Sequence, residues 1–131
     1  MYLIDSSVWI EYFRPGGSQR IKDRTRGILQ REDALCCGIV VVEILRGARN
    51  ADEFSLLQES LLALPQVVLD EPVIRRASDW GFKLERKGKA VSTTDLLIAA
   101  AAHGNGIVLH LDRDFEVIAA TCGSEQERLD R

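Results

Sequence analysis

Four acidic residues of this sequence stand against or inside its most apolar segments. Each one ends, interrupts or opens a run of hydrophobic residues, and they are Asp5, Glu43, Asp95 and Asp112. An unpaired carboxylate is costly to bury, so an acid in such a place usually has a cationic partner, caps a helix or binds a metal. The four positions therefore indicate a candidate functional site.

The residue types indicate which ligand such a site would hold. Asp112 and Asp114 form an Asp-x-Asp pair, which raises the number of candidate acids to five. The two histidines are expected to be structural, with His103 at a helix end and His110 packed in a strand or at its edge. Carboxylates without a histidine cluster are typical of a hard-cation site for Mg²⁺ or Mn²⁺.

Each acid also has a structural interpretation that the sequence leaves open. Asp5 could cap the helix that follows it. Asp95, in the first turn of its helix, could interact favourably with the helix dipole. Glu43 could point outward and pair with Arg46 or Arg49. The Asp-x-Asp pair could belong to a turn before a capped helix. Taken together, the acids favour a metal site over four unrelated structural roles.

Short apolar runs alternate with helical periodicity along the chain. The pattern predicts strands over residues 1–4, 34–37, 67–69 and 107–111. It predicts helices over residues 6–13, 18–31, 39–48, 51–64, 71–87, 95–103 and 115–120. Alternating strands and helices indicate an α/β fold with a parallel sheet covered on both faces. Ligands of such sheets bind beyond the carboxyl ends of the strands, where the acids could converge.

The size and composition of the chain are those of a globular domain. It has 131 residues, of which 46% are hydrophobic and 28% charged. We predict a single domain over residues 1–131, with a frayed polar tail over residues 123–131. The longest apolar runs are too short for a membrane span, and the amino terminus does not resemble a signal peptide. We therefore expect a cytoplasmic protein without a membrane partner.

The charge and the cysteines exclude several classes of function. The net charge is −3, so no overall positive field indicates a nucleic-acid partner. Local positive charge exists in the second helix and before Ser92, at Arg20, Lys22, Arg24, Arg26, Arg31, Lys83, Arg86, Lys87 and Lys89. The three cysteines, Cys36, Cys37 and Cys122, lack zinc-site spacing and are odd in number. A disulfide scaffold or a zinc module is therefore not expected.

Four sequence blocks around the acids resemble the motifs of PIN-domain ribonucleases, specifically the VapC toxins of bacterial type II toxin–antitoxin pairs. The blocks are LIDSSVWI at residues 3–10, VVEILRGA at 41–48, STTDLLIAA at 92–100 and LHLDRDF at 109–115. Their order and spacing cover nearly the whole chain. The resemblance implies a three-layer α/β/α PIN-like domain with a central parallel sheet of four to five strands. For the fifth strand, only residues 119–122 are a candidate.

The resemblance also implies roles for individual residues. Asp5, Glu43, Asp95 and Asp112 would be the catalytic, metal-binding quartet, with Asp114 an auxiliary acid or a competitor for the fourth place. Ser6 and Thr94 would orient the acids. The implied activity is Mg²⁺-dependent endonucleolytic cleavage of RNA such as tRNA or rRNA, with Mn²⁺ a substitute. The implied partners are a cognate VapB-type antitoxin and a second copy of the chain in a homodimer.

Two other classes of protein have similar features. A response-regulator receiver domain would need paired acids after its first strand, a phosphoacceptor Asp after its third and a Lys near its last. Here Ser6 follows Asp5, the third strand ends at Asp70, and no Lys follows Leu111. A non-catalytic PIN-like binding module is the second alternative. The presence of all four acids argues against it.

Overall fold

The strands and helices alternate along the chain as the sequence predicts. The computed structural model describes residues 1–131. Its elements are β1 (Tyr2–Ile4), α1 (Ser6–Phe13), α2 (Gln19–Gln30), β2 (Ala34–Cys37), α3 (Gly38–Leu45), α4 (Ala51–Leu62), β3 (Gln66–Val67), α5 (Glu71–Arg86), α6 (Thr93–Ala102), β4 (Ile107–His110), α7 (Arg113–Cys122) and β5 (Gln126–Arg128). The predicted α/β class with a parallel sheet is confirmed.

The five strands form one sheet in the order β3-β2-β1-β4-β5, and every neighbouring pair is parallel. The chain runs outward from β1 through β2 to β3, and then returns to the other side of β1 for β4 and β5. The strand order therefore reverses between β1 and β4. A crevice opens at such a switch point, beyond the carboxyl ends of the two strands.

A single hydrophobic core fixes the two central strands and the helices above them. Leu3, Ile4 and Leu109 are fully buried in β1 and β4. In α6 the alanines from Ala99 to Ala102 are buried as well, because small side chains allow this helix to lie close to its neighbours. The packing of α6 holds its first turn, which carries Asp95, in a fixed place beside the sheet.

A glycine permits the close approach of β4 to β1. A Cβ atom on Gly106 would lie 2.6 Å from the carbonyl oxygen of Met1, which is part of the backbone and has little room to move. Any larger residue would force the two strands apart at their amino ends. The registers Tyr2↔Ile107 and Ile4↔Leu109 bring the carboxyl ends of β1 and β4 level.

The predicted carboxyl-terminal region is wrong in two respects. Helix α7 continues through Cys122, so residues 119–122 do not form a strand. The fifth strand instead lies at Gln126–Arg128, inside the tail predicted to be frayed, and pairs in parallel with β4. Gly123 ends α7 in the left-handed conformation, with φ 75°, and turns the chain back toward the sheet.

Backbone hydrogen bonding explains why a polar tail becomes ordered. An edge strand is held by hydrogen bonds from its backbone N–H and C=O groups to one neighbouring strand. Its side chains do not have to be apolar for this pairing. The Leu129 N–H donates to the His110 carbonyl at 2.8 Å. The Arg24 guanidinium reaches Glu127 at 2.9 Å and ties the strand to α2.

Smaller differences concern element ends. β3 has two residues and excludes Val68, which is 69% exposed. Helices α6 and α7 each begin two residues earlier than predicted, at Thr93 and Arg113, because Ser92 and Asp112 cap them. No helix is both long and apolar enough to cross a membrane.

Candidate metal centre

The fold brings the predicted acids toward the switch point between β1 and β4. Asp5 directly follows β1, and Asp112 lies two residues beyond the end of β4. Asp95 and Asp114 lie in the first turns of α6 and α7. Glu43 lies on α3 and approaches from the side of β2, where its carboxylate accepts a hydrogen bond from Ser6 at the start of α1.

Three of the acids form a close group. One carboxylate oxygen from each of Asp95, Asp112 and Asp114 lies within 4.8 Å of the others. Asp5 and Glu43 lie outside this group but are electrostatically connected to it. The negative charge of Asp5 contributes to raised pKa values at both Asp95 and Glu43. Asp5 therefore interacts electrostatically with both Glu43 and the close group.

Asp5 is held in place by the residue two positions further along the chain. It is 4% exposed, and its Oδ2 accepts hydrogen bonds from the Ser7 N–H at 3.2 Å and the Ser7 hydroxyl at 2.5 Å. The Ser7 Oγ in turn accepts the N–H of Leu111 at 3.2 Å. Burial raises the pKa of Asp5, and the hydrogen bonds from Ser7 oppose that rise.

Asp95 is the most strongly perturbed carboxyl group of the site. It is 8% exposed, and its pKa is raised to about 7 by burial first and then by the charges of Asp112 and Asp5. The Ser92 hydroxyl accepts the Asp95 N–H at 3.1 Å and so fixes the first turn of α6. No lysine or arginine forms a salt bridge with Asp95 that would offset its burial.

Glu43 is half-buried and, like Asp95, is affected by burial and by the charge of Asp5. The Ser6 hydroxyl donates to Glu43 Oε1 at 3.1 Å. Burial is the largest cause of its raised pKa, Asp5 adds to the rise, and the positive charge of Arg46 opposes it. The predicted alternative of an ion pair is not observed, because Arg49 binds Glu53 at 2.8 Å and Arg46 forms no salt bridge.

The Asp-x-Asp pair connects α7 to α6. Asp112 caps α7 by accepting the Asp114 N–H on Oδ1 at 2.9 Å. Asp114 Oδ2 accepts the N–H of Ser92, the cap of α6, at 3.1 Å. Both acids lie beside Asp95, so the structure keeps both as candidates for the fourth place. The capping interpretation of Asp5 and Asp112 is also confirmed, and it leaves one oxygen of each carboxylate free.

A buried acid outside the site shows the contrasting arrangement. Glu11 is 3% exposed, and both its oxygens accept from Arg14 at 3.0 Å, with Ser18 and Arg131 as further donors. The hydrogen bond from the Ser18 N–H is the largest cause of its lowered pKa. Glu11 is a neutralised structural acid, bound by the nearby Arg14 and by Arg131 from the other end of the chain.

The site acids lack the ion pairs that neutralise Glu11. None of the five forms a salt bridge. No buried carboxylate oxygen lacks a partner, since Trp9 Nε1 is the single buried side-chain atom of that kind. The oxygens that the protein does not use therefore open toward solvent. Carboxylate groups that are fixed by hydrogen bonds to the protein and still have oxygens open to solvent suit a divalent cation.

The structure shows which neighbouring residues support the acids. Ser7 and Ser92 hold the acids, whereas Thr94, which the resemblance implied, makes no side-chain hydrogen bond. His110 is fully buried, and its Nδ1 accepts the Asp112 N–H at 3.0 Å while its Nε2 lies 2.6 Å from Gln126 Oε1. Ser7 and Ser92 lie within three residues of an acid and at the start of a helix, and these are the signals by which the sequence indicates them.

Comparison with known proteins agrees with this architecture. The model of the PIN domain family matches residues 2–121. Ribonuclease VapC11 of Mycobacterium tuberculosis is 39% identical over 125 residues, which cover 91% of this chain and 92% of the relative. Ribonuclease VapC21 of the same species is 36% identical over 124 residues, which cover 91% of this chain and 86% of the relative.

Solved structures share the fold. FitAcB from Neisseria gonorrhoeae superposes with a TM-score of 0.79 at 23% identity, and covers 96% of each chain. VapBC2 from Rickettsia felis, bound to a DNA fragment from its promoter, gives a TM-score of 0.79 at 15% identity over 98% of each chain. Fold and site thus define a parallel α/β domain with an acidic group for a divalent cation at its switch point. This chain belongs to the PIN domain family, among the VapC ribonucleases.

Proposed function

We propose that this protein is a Mg²⁺-dependent endoribonuclease and the toxin of a toxin–antitoxin pair. The observation that carries the proposal is the group of five carboxylates without a cationic partner at the β1–β4 switch point. The family supports it, because the relatives over most of the chain are named ribonucleases. Mg²⁺ prefers oxygen ligands and retains coordination positions for water and phosphate, and Mn²⁺ accepts the same ligands.

The surroundings of the acids assign them different roles in metal binding. Asp5 and Asp95 are the direct metal ligands, because both are buried and each retains an oxygen for a cation. Glu43 and Asp112 would hold a second ion or its waters. When bound, the metal lowers the pKa of a water and neutralises charge on the phosphate. The protein supplies the fixed geometry, which Ser7, Ser92 and the two helix caps maintain.

Asp114 has a different role from its neighbour in this scheme. Its Oδ2 already accepts the Ser92 N–H, so it joins the first turn of α6 to the start of α7. It is therefore an auxiliary acid that positions Asp95 against Asp112. Asp112→Asn should then remove most of the cleavage activity, whereas Asp114→Asn should remove less.

An antitoxin has a suitable surface next to the acids. A groove of about 350 Å³ runs between α1, α3 and α4, with Ile10, Phe13 and Leu57 among its apolar lining and Glu43 at its wall. A VapB-type antitoxin that fills this groove would reach Glu43 with a basic side chain and neutralise the acids. VapBC-5 of Mycobacterium tuberculosis is a member of the VapBC family of toxin–antitoxin systems, and we extend that pairing to this chain. The homodimer and the cytoplasmic location stay predictions.

The receiver-domain alternative is not favoured by the topology. Asp70, where its phosphoacceptor would lie, follows the edge strand β3 and caps α5 by accepting the Val73 N–H at 3.2 Å. It is separated from β1 by β2. A small phosphodonor should therefore leave no aspartyl-phosphate on this protein.

Sequencing of RNA 5′ ends after induction of the protein in bacterial cells tests the proposed function. The wild type should generate new 5′ ends at defined positions in one class of RNA, tRNA or rRNA, and should arrest growth. Asp5→Asn should generate none. Asp52→Asn makes the same chemical change at an exposed acid of α4 and serves as the matched control, with wild-type cleavage expected. New ends that persist in Asp5→Asn would remove the support for a nuclease site at Asp5.

A further inference from the structure

The two groups of positive residues in the sequence have different surroundings in the structure. In α2, Arg24 binds the Tyr2 hydroxyl at 3.1 Å and Glu127 at 2.9 Å. Arg26 binds Asp23 at 3.1 Å. Arg31 and Lys22 are also occupied, by Asp33 and by the Arg14 carbonyl. Most of the positive charge of α2 is therefore used within the protein.

The second group is free of acidic partners. Lys83, Arg86, Lys87 and Lys89 are exposed at the end of α5 and in the segment after it, and none forms a salt bridge. Arg113, between the two acids of the Asp-x-Asp pair, is likewise exposed and unpaired. The polar contact that Lys89 makes is with the Thr121 hydroxyl, at 3.3 Å.

A cleft joins these cations to the candidate metal centre. It has a volume of about 730 Å³, lies between residues 88–90 and α7, and is lined by Lys89, Arg113, Asp114 and Arg128 among others. Arg128 is neutralised by Glu116 at 2.6 Å, so Lys89 and Arg113 supply the free charge. We call this feature the basic cleft. Asp114 is at once a wall of the basic cleft and a member of the close acidic group.

The cations lie near the site and continue away from it. The Ser92 N–H bonds Asp114, and three residues of chain span at most about 10 Å, so Lys89 is close to the acids. Burial raises the pKa of the Cys122 thiol, while the charges of Lys83 and Lys87 oppose that rise. Helix α5 also packs against α7, so Lys83 and Lys87 lie near the far end of α7 and positive charge extends along this face from Arg113 outward.

We propose that the basic cleft binds the phosphodiester backbone of the RNA strand next to the cleavage point. This inference rests on the proposed function. Five clustered carboxylates repel a polyanion, and a bound metal offsets that repulsion only at one phosphate. Lys89 and Arg113 bind the phosphates adjacent to it, and Lys83 and Lys87 extend the contact to further nucleotides. Such contacts position the strand without reading its sequence.

Charge reversal on the two faces tests the basic cleft. In an Asp95→Asn host, which prevents cleavage, the affinity for a short single-stranded RNA is measured by fluorescence anisotropy over a series of salt concentrations. Lys89→Glu with Arg113→Glu should weaken binding by about tenfold or more at low salt. It should also make the slope of log K against log salt shallower by roughly 1.4, because each phosphate contact contributes about 0.7. The matched control, Arg20→Glu with Arg26→Glu on α2, should change neither quantity appreciably.

The outcomes separate the basic cleft from the proposed function. Cleavage by the otherwise wild-type protein is measured in parallel, and there the cleft variant should raise KM with little change in kcat. Wild-type cleavage combined with unchanged affinity and KM in the cleft variant would overturn the basic cleft alone. Equal losses on the α2 face would overturn it too, since general charge would then explain binding. A wild type that neither binds nor cleaves RNA would overturn both proposals. The four charge-reversal positions are all exposed, so folding should be preserved, and the neutral pair Lys89→Gln with Arg113→Gln should give an intermediate loss.

Discussion

The imidazole of His110 accepts the backbone N–H of Asp112 on Nδ1 at 3.0 Å. Its other nitrogen lies 2.6 Å from the Gln126 side-chain oxygen, so the proton resides on Nε2. Burial lowers the pKa of His110 and keeps the ring neutral, as an acceptor on Nδ1 requires. Gln126 of the edge strand β5 thus fixes the buried His110 ring, and that ring positions Asp112, a candidate metal ligand.

His110→Phe should weaken metal binding while retaining the packing of the ring. Phenylalanine fills a similar volume against Phe115 but offers no acceptor to the Asp112 N–H. Residues that orient metal ligands typically contribute 10–100-fold to affinity, and we expect a loss of about that size. Calorimetric titration with Mn²⁺ measures it directly.

His110→Asn provides the matched comparison. Its side-chain oxygen can occupy the place of Nδ1 and accept the same N–H, so part of the affinity should return. Equal metal affinity in the wild type and His110→Phe would show that the ring has no part in positioning Asp112.

The neighbouring serines should have separable effects. Ser7→Ala removes the donor to Asp5 and leaves the Leu111 N–H without its acceptor, so it should lower the free energy of unfolding by about 1–3 kcal/mol and also reduce cleavage. Ser6→Ala removes only the hydrogen bond to the half-buried Glu43 and should reduce cleavage with a smaller change in stability. Urea denaturation and an RNA cleavage assay on both variants check this. A Ser7→Ala protein as stable as Ser6→Ala would contradict the bridging role of Ser7.

Ionised Asp95 should destabilise the metal-free protein. Its pKa of about 7 lies above the unfolded value near 4, so the native state binds more protons between these two pH values. The contribution of Asp95 to stability therefore falls as pH rises from about 4 to 7, and stays low above that. At pH 8 without metal, Asp95→Asn should be more stable than the wild type, on the order of a few kcal/mol. At pH 4 the difference should nearly vanish.

Glu11→Gln should act in the opposite direction. The pKa of Glu11 is lowered, so its stabilising contribution is present at neutral pH and is lost as pH falls through the folded pKa. At pH 8 this substitution should reduce the free energy of unfolding by about 1–3 kcal/mol. Mg²⁺ should stabilise the wild type and Glu11→Gln but not Asp95→Asn. If Asp95→Asn were less stable than the wild type at pH 8, Asp95 would be a structural acid like Glu11.

The acids were predictable because their types conflict with their surroundings. A carboxylate such as Asp95 ahead of seven apolar residues is visible in the sequence alone. Glu11 is buried as deeply but was not singled out: its partner Arg14 lies three residues away, whereas its contact with Arg131 spans 120 positions and is not encoded by local spacing. His110 was expected to be packed, and its link to Asp112 depends on a hydrogen-bond direction that periodicity does not encode.

The fold was predictable wherever strands are buried on both faces, as β1 and β4 are. β5 was not, because an edge strand carries polar side chains such as Gln126 and Arg128 and is specified by backbone pairing with β4. The same reason explains the short β3, which has a single neighbour. Central strands can be predicted from their apolar composition. The position of an edge strand is instead set by backbone pairing with the neighbouring strand.

Cleavage of RNA by the purified protein as a function of Mg²⁺ concentration tests the metal centre most directly. The wild type should be inactive in a chelator and active with added Mg²⁺. Asp95→Asn should lose about 100-fold or more of that activity, because metal stabilisation of the reacting phosphate is worth several kcal/mol. Asp52→Asn should behave as the wild type. Cleavage by the wild type in the chelator, or full activity in Asp95→Asn, would contradict a catalytic metal at this group of acids.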